Sequence, residues 1–411
     1  MWTGALSRRP FRLLFAGRTV SAFGDRLVPV ALAFAVLDLT GSVIDLGLVL
    51  AAQTVPLLAF VLLGGVWSDR LPRQLVMLAS DGVRALAQGA TAVLLLTGHA
   101  QVWELIVLQA IYGSAVGFFA PAATAVVPQT VDERELQQAN ALLGLAESTS
   151  ALVGPAVAGV LVATAGPGWG LAIDAMTFVA SAAFLSRLHV ADAKPPARRG
   201  TLDELRAGLR TFRAHTWVWV IAGFFSLFLA FGYAPEQVLG PSVARHWLGG
   251  AGAWAAILVA RGVGALAGGG LGLRWRPRHP LRAAFLVFVA GTPALLVALG
   301  AHAPLALIVA LATIDGVTGA FFNTVWSTAI QREIPPGELS RVSSWDYLGS
   351  LALQPVGQAV SGPIAVAVGV SATLYGAGAM TLVLLVAVLA VPAVRNFSPR
   401  GEAERPRGRP R

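Results

Sequence analysis

A few ionisable side chains stand inside long apolar stretches of this chain: Asp25 and Arg26, Glu147, Asp174, Glu236 and Asp315. A charge in hydrocarbon is costly, so such residues mark ion paths, proton relays or ligand contacts by default. A carboxylate held away from bulk water can take up and release a proton near neutral pH. Asp25 is the first candidate for that role and Glu147 the second, with Arg26 as a charged partner. Asp25 and Arg26 are adjacent, about 100° apart around a helix, so each can pair with a different neighbour. A structural ion pair and a proton-handling role are both open to them. Asp38, Asp45 and Asp174 read as interfacial, and Asp81 with Arg84, one turn apart, as a structural pair. Gln354 and Gln358 share one helix face. Both are candidates to meet a ligand, because a buried amide needs a partner. Tyr112, Phe118 and Trp345 join them, among further aromatics Phe119, Phe321, Phe322, Trp326 and Tyr347. Such rings suit a bulky, partly apolar ligand.

The elements that must hold these residues are apolar to an unusual degree. Of 411 residues, 56% are hydrophobic and 12% charged, against about 25% charged in soluble domains. The composition excludes a soluble enzyme and a disordered chain. A membrane-spanning helix needs about 20 mostly apolar residues. Twelve such spans are predicted, at 12–39, 43–67, 74–98, 102–127, 138–165, 168–188, 216–243, 251–273, 281–301, 304–330, 341–367 and 370–393. The first continues past signal-peptide length without a small-residue cleavage site and reads as a mature helix. Basic residues cluster in alternate connectors: Arg8, Arg9 and Arg12 before span 1, Arg134 after span 4, Arg274 to Arg282 between spans 8 and 9, and Arg395 onward. The opposite connectors hold only Arg245, near the end of span 7. By the positive-inside rule both termini are cytoplasmic.

Residues 189–214 form the longest internal polar stretch, a Pro- and Arg-rich linker followed by a short amphipathic helix with Leu205, Leu209 and Phe212 on one face. The linker divides a six-helix bundle at 1–188 from a second at 215–394, and 395–411 is a basic tail. The halves repeat. At an offset of 203, Phe118-Phe119 meets Phe321-Phe322, and Gly154, Gly159 and Gly166 meet Gly357, Gly362 and Gly369. Two parallel repeats about an axis along the membrane normal are an architecture of secondary transporters.

The sharpest motif joins spans 2 and 3: Gly64-Gly65-Val66-Trp67-Ser68-Asp69-Arg70-Leu71-Pro72-Arg73. It resembles the major facilitator superfamily signature G-x-x-x-D-R-x-x-R, with Gly65, Asp69, Arg70 and Arg73 in register. The resemblance implies an all-α fold of two pseudo-symmetric six-helix halves. In it Gly65 allows close helix approach, and Asp69 latches the inside face by holding a basic partner or a helix N-terminus. The corresponding stretch of the second half, Gly268 to Arg274, lacks the acid. Val36 to Ser42, Asp81 to Arg84 and Gly154-Pro155-Ala156-Val157-Ala158-Gly159 look like the branch of drug, siderophore and macrolide exporters. There Gly154, Pro155 and Gly159 would form a hinge in span 5; a plain small-residue packing seam reads equally well. Span 4 departs from the drug–proton antiporter pattern: Gln109-Ala110-Ile111-Tyr112-Gly113 carries no arginine.

The reading is a monomeric multi-pass transporter of the bacterial inner membrane. It exports small amphipathic cargo by alternating access with protons as the coupling ion. Import of a small metabolite, or a transport-inactive scaffold or sensor, are the alternatives. No phosphate-binding loop is present, there is no cysteine, and the six histidines are scattered. ATP hydrolysis, enzymatic chemistry, a cofactor and a metal site are therefore not expected. The basic residues lack the aromatic interleaving of a nucleic-acid surface.

Overall fold

The computed structural model describes residues 3–68, 71–189, 201–275 and 277–398. Among them every regular element is helical. Eleven helices are long and apolar enough to cross a membrane. The third expected span, Arg73–Leu96, is also a continuous helix of 24 residues. At about 1.5 Å per residue it is long enough to cross. What sets it apart is composition: Asp81, Arg84 and Gln88 lie within it, all buried. With it, helical spans stand at the twelve expected positions among the described residues.

Several spans are interrupted where the chemistry gathers. Span 1 consists of Arg9–Asp25 and Val28–Thr40. The break falls at Arg26 and Leu27, and Pro29, which donates no backbone hydrogen bond, opens the second segment. Span 7 holds two π-helical segments, Leu229–Tyr233 and Ala244–Leu248, on either side of Ala234–Val243. Such segments gather at functional sites. Span 11 breaks between Pro336–Leu351 and Gln354–Val368. Span 5, Leu136–Ala165, runs through Pro155 as one helix.

The residues gather into two compact units. The first takes in residues up to 198 together with 238–259 and 358–363, and the second holds 199–237, 260–357 and 364 onward. In the first unit, spans 2 and 4 pack at backbone distance because Gly113 lies against the main chain of Gln53, whose Cα is 3.1 Å from where a Cβ would stand. The second unit repeats the device 203 residues later: Gly316 lies against the main chain of Arg261. Small residues let membrane helices approach this closely. The second unit also carries an aromatic core of Phe224, Phe228, Phe285, Phe288, Phe321 and Phe322.

Candidate functional site

The break in span 1 leaves Asp25 at the last turn of its first segment. Its carboxylate accepts a hydrogen bond from Tyr112 Oη of span 4 at 2.6 Å and lies 3.7 Å from Arg84 Nη1 of span 3. Arg84 also pairs with Asp81 one turn before it. Its guanidinium carbon is 4.0 Å from the ring centre of Phe119 and 4.3 Å from that of Phe178. The cation is thus clamped between two ring faces, which favours it in a dry site. Asp174 of span 6 belongs to the same layer. Gln88 Nε2 donates to its Oδ2 at 2.9 Å, and Gln109 Nε2 donates to Gln88 Oε1 at 3.1 Å. Asp174, expected at an interface, is fully buried, as are Gln88 and Gln109. Two carboxylates, Asp81 and Asp25, therefore meet one guanidinium, and a third, Asp174, is held by Gln88; an unneutralised charge in a protein interior is costly.

Arg26 does not pair with Asp25. It turns to span 5, where its Nη2 lies 3.7 Å from Glu147 Oε2, and Arg18 Nη2 lies 3.5 Å from Glu147 Oε1. These three side chains are partly exposed, whereas Arg84 and Asp81 are buried and Asp25 is 35% exposed. Gly154 explains how span 5 reaches the break: it sits against the backbone of Arg26, with the carbonyl carbon 3.2 Å from where a Cβ would be. Gly159, one turn and more along, rests against Ala255. Both glycines and Pro155 are buried contact points within a continuous helix.

The second unit holds its own charged layer. Arg261 of span 8 pairs with Glu236 of span 7, and its Nε lies 2.8 Å from Asp315 Oδ2 of span 10. Thr292 Oγ1 donates to Asp315 Oδ1 at 2.6 Å. Nearby, Gln354 Nε2 donates to Gln237 Oε1 at 3.4 Å. Gln358, one turn on, is buried and groups with the first unit. Arg18, Arg261 and Asp346, which accepts from Trp326 Nε1 at 3.1 Å, were not among the sequence candidates. The rule that picked out the acids, a lone charge inside an apolar run, would have found Arg18 and Arg261, but not Asp346, which follows Arg341, Ser343 and Ser344.

The aromatic candidates divide. Tyr112 is buried with its hydroxyl committed to Asp25. Phe118 packs on Phe60, their ring centres 5.2 Å apart. Phe119 stacks on Arg84, and Phe321 and Phe322 are buried in the aromatic core. An aromatic wall is thus not what most of these rings build. Packing and charge stabilisation claim them, because a ring next to other rings or a guanidinium gains contact in a dry core. Trp345 is partly buried and Tyr347 half-exposed. Of the signature motif, Gly65 lies in the helix Val43–Ser68, and Arg73 Nη1 donates to the carbonyl of Ala125 at 2.7 Å, tying the start of span 3 to the end of span 4. Asp69 and Arg70, like most of the linker and the tail past 398, lie outside the described residues. No cluster of three metal-ligating side chains occurs among the described residues.

Known transporters resemble this chain along nearly its whole length. The chain is 29% identical over 403 residues to the multidrug efflux pump Tap of Mycolicibacterium fortuitum, covering 94% of this chain and 96% of that one. It is 26% identical over 392 residues to macrolide efflux protein A of Streptococcus pyogenes, covering 92% and 94%. It is 26% identical over 409 residues to the enterobactin exporter EntS of Escherichia coli, covering 95% and 94%. A crystal structure of a variant of the nucleoside transporter NupG superposes with a TM-score of 0.78 at 13% identity, over 93% of this chain and 99% of that one, a likeness of fold. The model of the transmembrane secretion effectors matches residues 3–398. With its helical plan, the chain is a multi-pass membrane transporter of the major facilitator type and belongs to the transmembrane secretion effector family.

Proposed function

We propose that this protein exports small amphipathic compounds across the bacterial inner membrane, working as a monomer by alternating access driven by proton antiport. The observation that carries the reading is the place of Asp25. Its carboxylate sits beside a break in span 1, held by Tyr112 and Arg84, where a proton gained or lost changes what those two partners must do. When Asp25 is ionised it draws on both. When it is protonated, Arg84 is left to Asp81 alone and span 1 is released from span 3. Buried charges that exchange partners in this way can bias two arrangements of a packed bundle. The halves at 1–188 and 215–394 would rock about span 5 at Gly154, Pro155 and Gly159, with Gly65, Asp69, Arg70 and Arg73 as the latch. Gln354, Gln358 and Trp345 remain the cargo contacts on this reading, and both termini face the cytoplasm.

The names of the relatives support export and a cargo range of drugs, macrolides or a siderophore. A susceptibility panel on an expressing strain would identify a cargo. Purified protein in liposomes should then move that cargo when a pH gradient is imposed and stop when the gradient is collapsed. Asp25→Asn should bind cargo but show no response to the gradient. Cargo movement by the wild type that ignores the gradient would refute proton coupling. A reporter fused to either end and found outside the cell would refute the orientation.

A further inference from the structure

The charges of the first unit fall into two groups of different accessibility. Asp81, Arg84 and Asp174 are buried. On spans 1 and 5, Arg18, Arg26 and Glu147 are 21%, 46% and 48% exposed, and Asp25, which meets Arg84, is 35% exposed. Arg26 and Glu147 lie near the middle of their spans, Arg9–Thr40 and Glu133–Ala165. A charge at that depth that is not covered by protein must face water, since acyl chains would cost it several kcal/mol (about 2.5–3.5 for Arg by insertion scales).

Span 5 has two exposed faces that say the same. Gln137, Asn140, Gly144, Glu147 and Ser148 are exposed and fall within an arc of about 100°. Val153 and Val160 are exposed on the opposite side. The second face is built for lipid and the first for water. Span 1 answers the first face with Arg18 and Arg26 two turns apart, and the small Ala22 between them.

Arg18 and Arg26 share one carboxylate, Glu147, while the carboxylate of Asp25 is taken up by Tyr112 and Arg84. Glu147 turns one oxygen to each arginine, at 3.5 and 3.7 Å. Both pairs are longer than a direct charge-assisted hydrogen bond, about 2.7–2.9 Å. Neither contact of Glu147 is a short, direct hydrogen bond. Exposed pairs of this kind are weakly held.

We propose that Arg18 and Arg26 form an anion-binding site for the acidic group of the cargo, and that the cargo class is an amphipathic organic carboxylate. This rests on the export reading above but not on its proton coupling. Glu147 is the internal occupant that the cargo carboxylate displaces, and the apolar part of the cargo lies along the face shared by Ala22 and Gly144.

Equilibrium binding to the purified full-length protein in lipid nanodiscs, with no gradient, tests this. The probes are 1-naphthoate and 1-naphthylmethylammonium, which share a ring system and differ in the sign of their charge. The wild type should bind the naphthoate in preference. Arg18→Gln and Arg26→Gln should each weaken it about tenfold, the loss of one charge-assisted contact. Glu147→Gln, which removes the competing carboxylate, should tighten it. That gain is the reverse of what a structural role for Glu147 would give. The comparison of the two probes on the wild type needs no variant to fold. Binding of neither probe, preference for the ammonium, arginine variants that leave naphthoate binding unchanged, or a weaker Glu147→Gln would each overturn the proposal. Because no gradient is present, a failure here is distinct from a failure of proton coupling, which is read only in the liposome assay.

Discussion

In the first unit Arg84 is held by Asp81 and Asp25 and clamped between Phe119 and Phe178; in the second, Arg261 bridges Glu236 and Asp315. The two arginines differ in depth, with side chains 2% and 21% exposed. They also differ in their place in the repeat. Asp315 stands 203 residues after Tyr112, so one repeat position bears a phenol in the first half and a carboxylate in the second. The neighbouring pair, Gly113 and Gly316, keeps the same residue and the same contact with a backbone on the adjacent helix. The comparison teaches that the halves share a way of packing helices while their charged chemistry has been arranged separately. Close packing tolerates few side chains at a contact, whereas a buried charge needs only some partner within reach.

The largest effect is expected at Arg84. Arg84→Met should strand Asp81 and Asp25 and cost about 3–5 kcal/mol, as removal of one partner from a buried ion pair does. Arg261→Met, at a more exposed site, should cost less, about 2 kcal/mol after allowance for screening. Thermal unfolding of the two variants in the same detergent checks the order, and equal losses would remove depth as the difference between the layers. Gly113→Val and Gly316→Val should each cost about 1–3 kcal/mol, since an added side chain meets backbone with little room to yield. A tolerated Gly316→Val beside a damaging Gly113→Val would break the packing equivalence. Tyr112→Phe removes a hydrogen bond to a carboxylate and should cost about 1.5–3 kcal/mol. On the reading proposed here it should also alter the pH dependence of transport. The smallest change is at the exposed pair of Arg8 with Asp132 and Glu135. There Arg8→Ala should shift stability by no more than about 1 kcal/mol, less in high salt.

Much of the fold was legible because hydrocarbon imposes a simple rule on sequence. Runs of about 20 apolar residues and a charge bias in the connectors place the spans. The third span was legible by this rule although Asp81, Arg84 and Gln88 lie in it, because Ala85 to Leu96 remains apolar around one amide. The site was legible in part. Asp25, Glu147 and the Asp81–Arg84 pair could be singled out by type and depth. The burial of Asp174 could not, because distance from the end of a span says nothing about which face of the helix is covered. Arg26 and Asp25 illustrate the same limit: neighbours in sequence, they belong to different charged groups.

The sequence by itself determined the solvent of this protein, its crossings and its internal repeat, since these depend on composition along the chain. Tertiary structure alone decided the partners. Tyr112 meets Asp25 across 87 residues and Gln88 meets Asp174 across 86. The physical reason is that pairing depends on the rotation and depth of each helix against its neighbours, which are set by where glycines let backbones touch and where a helix breaks.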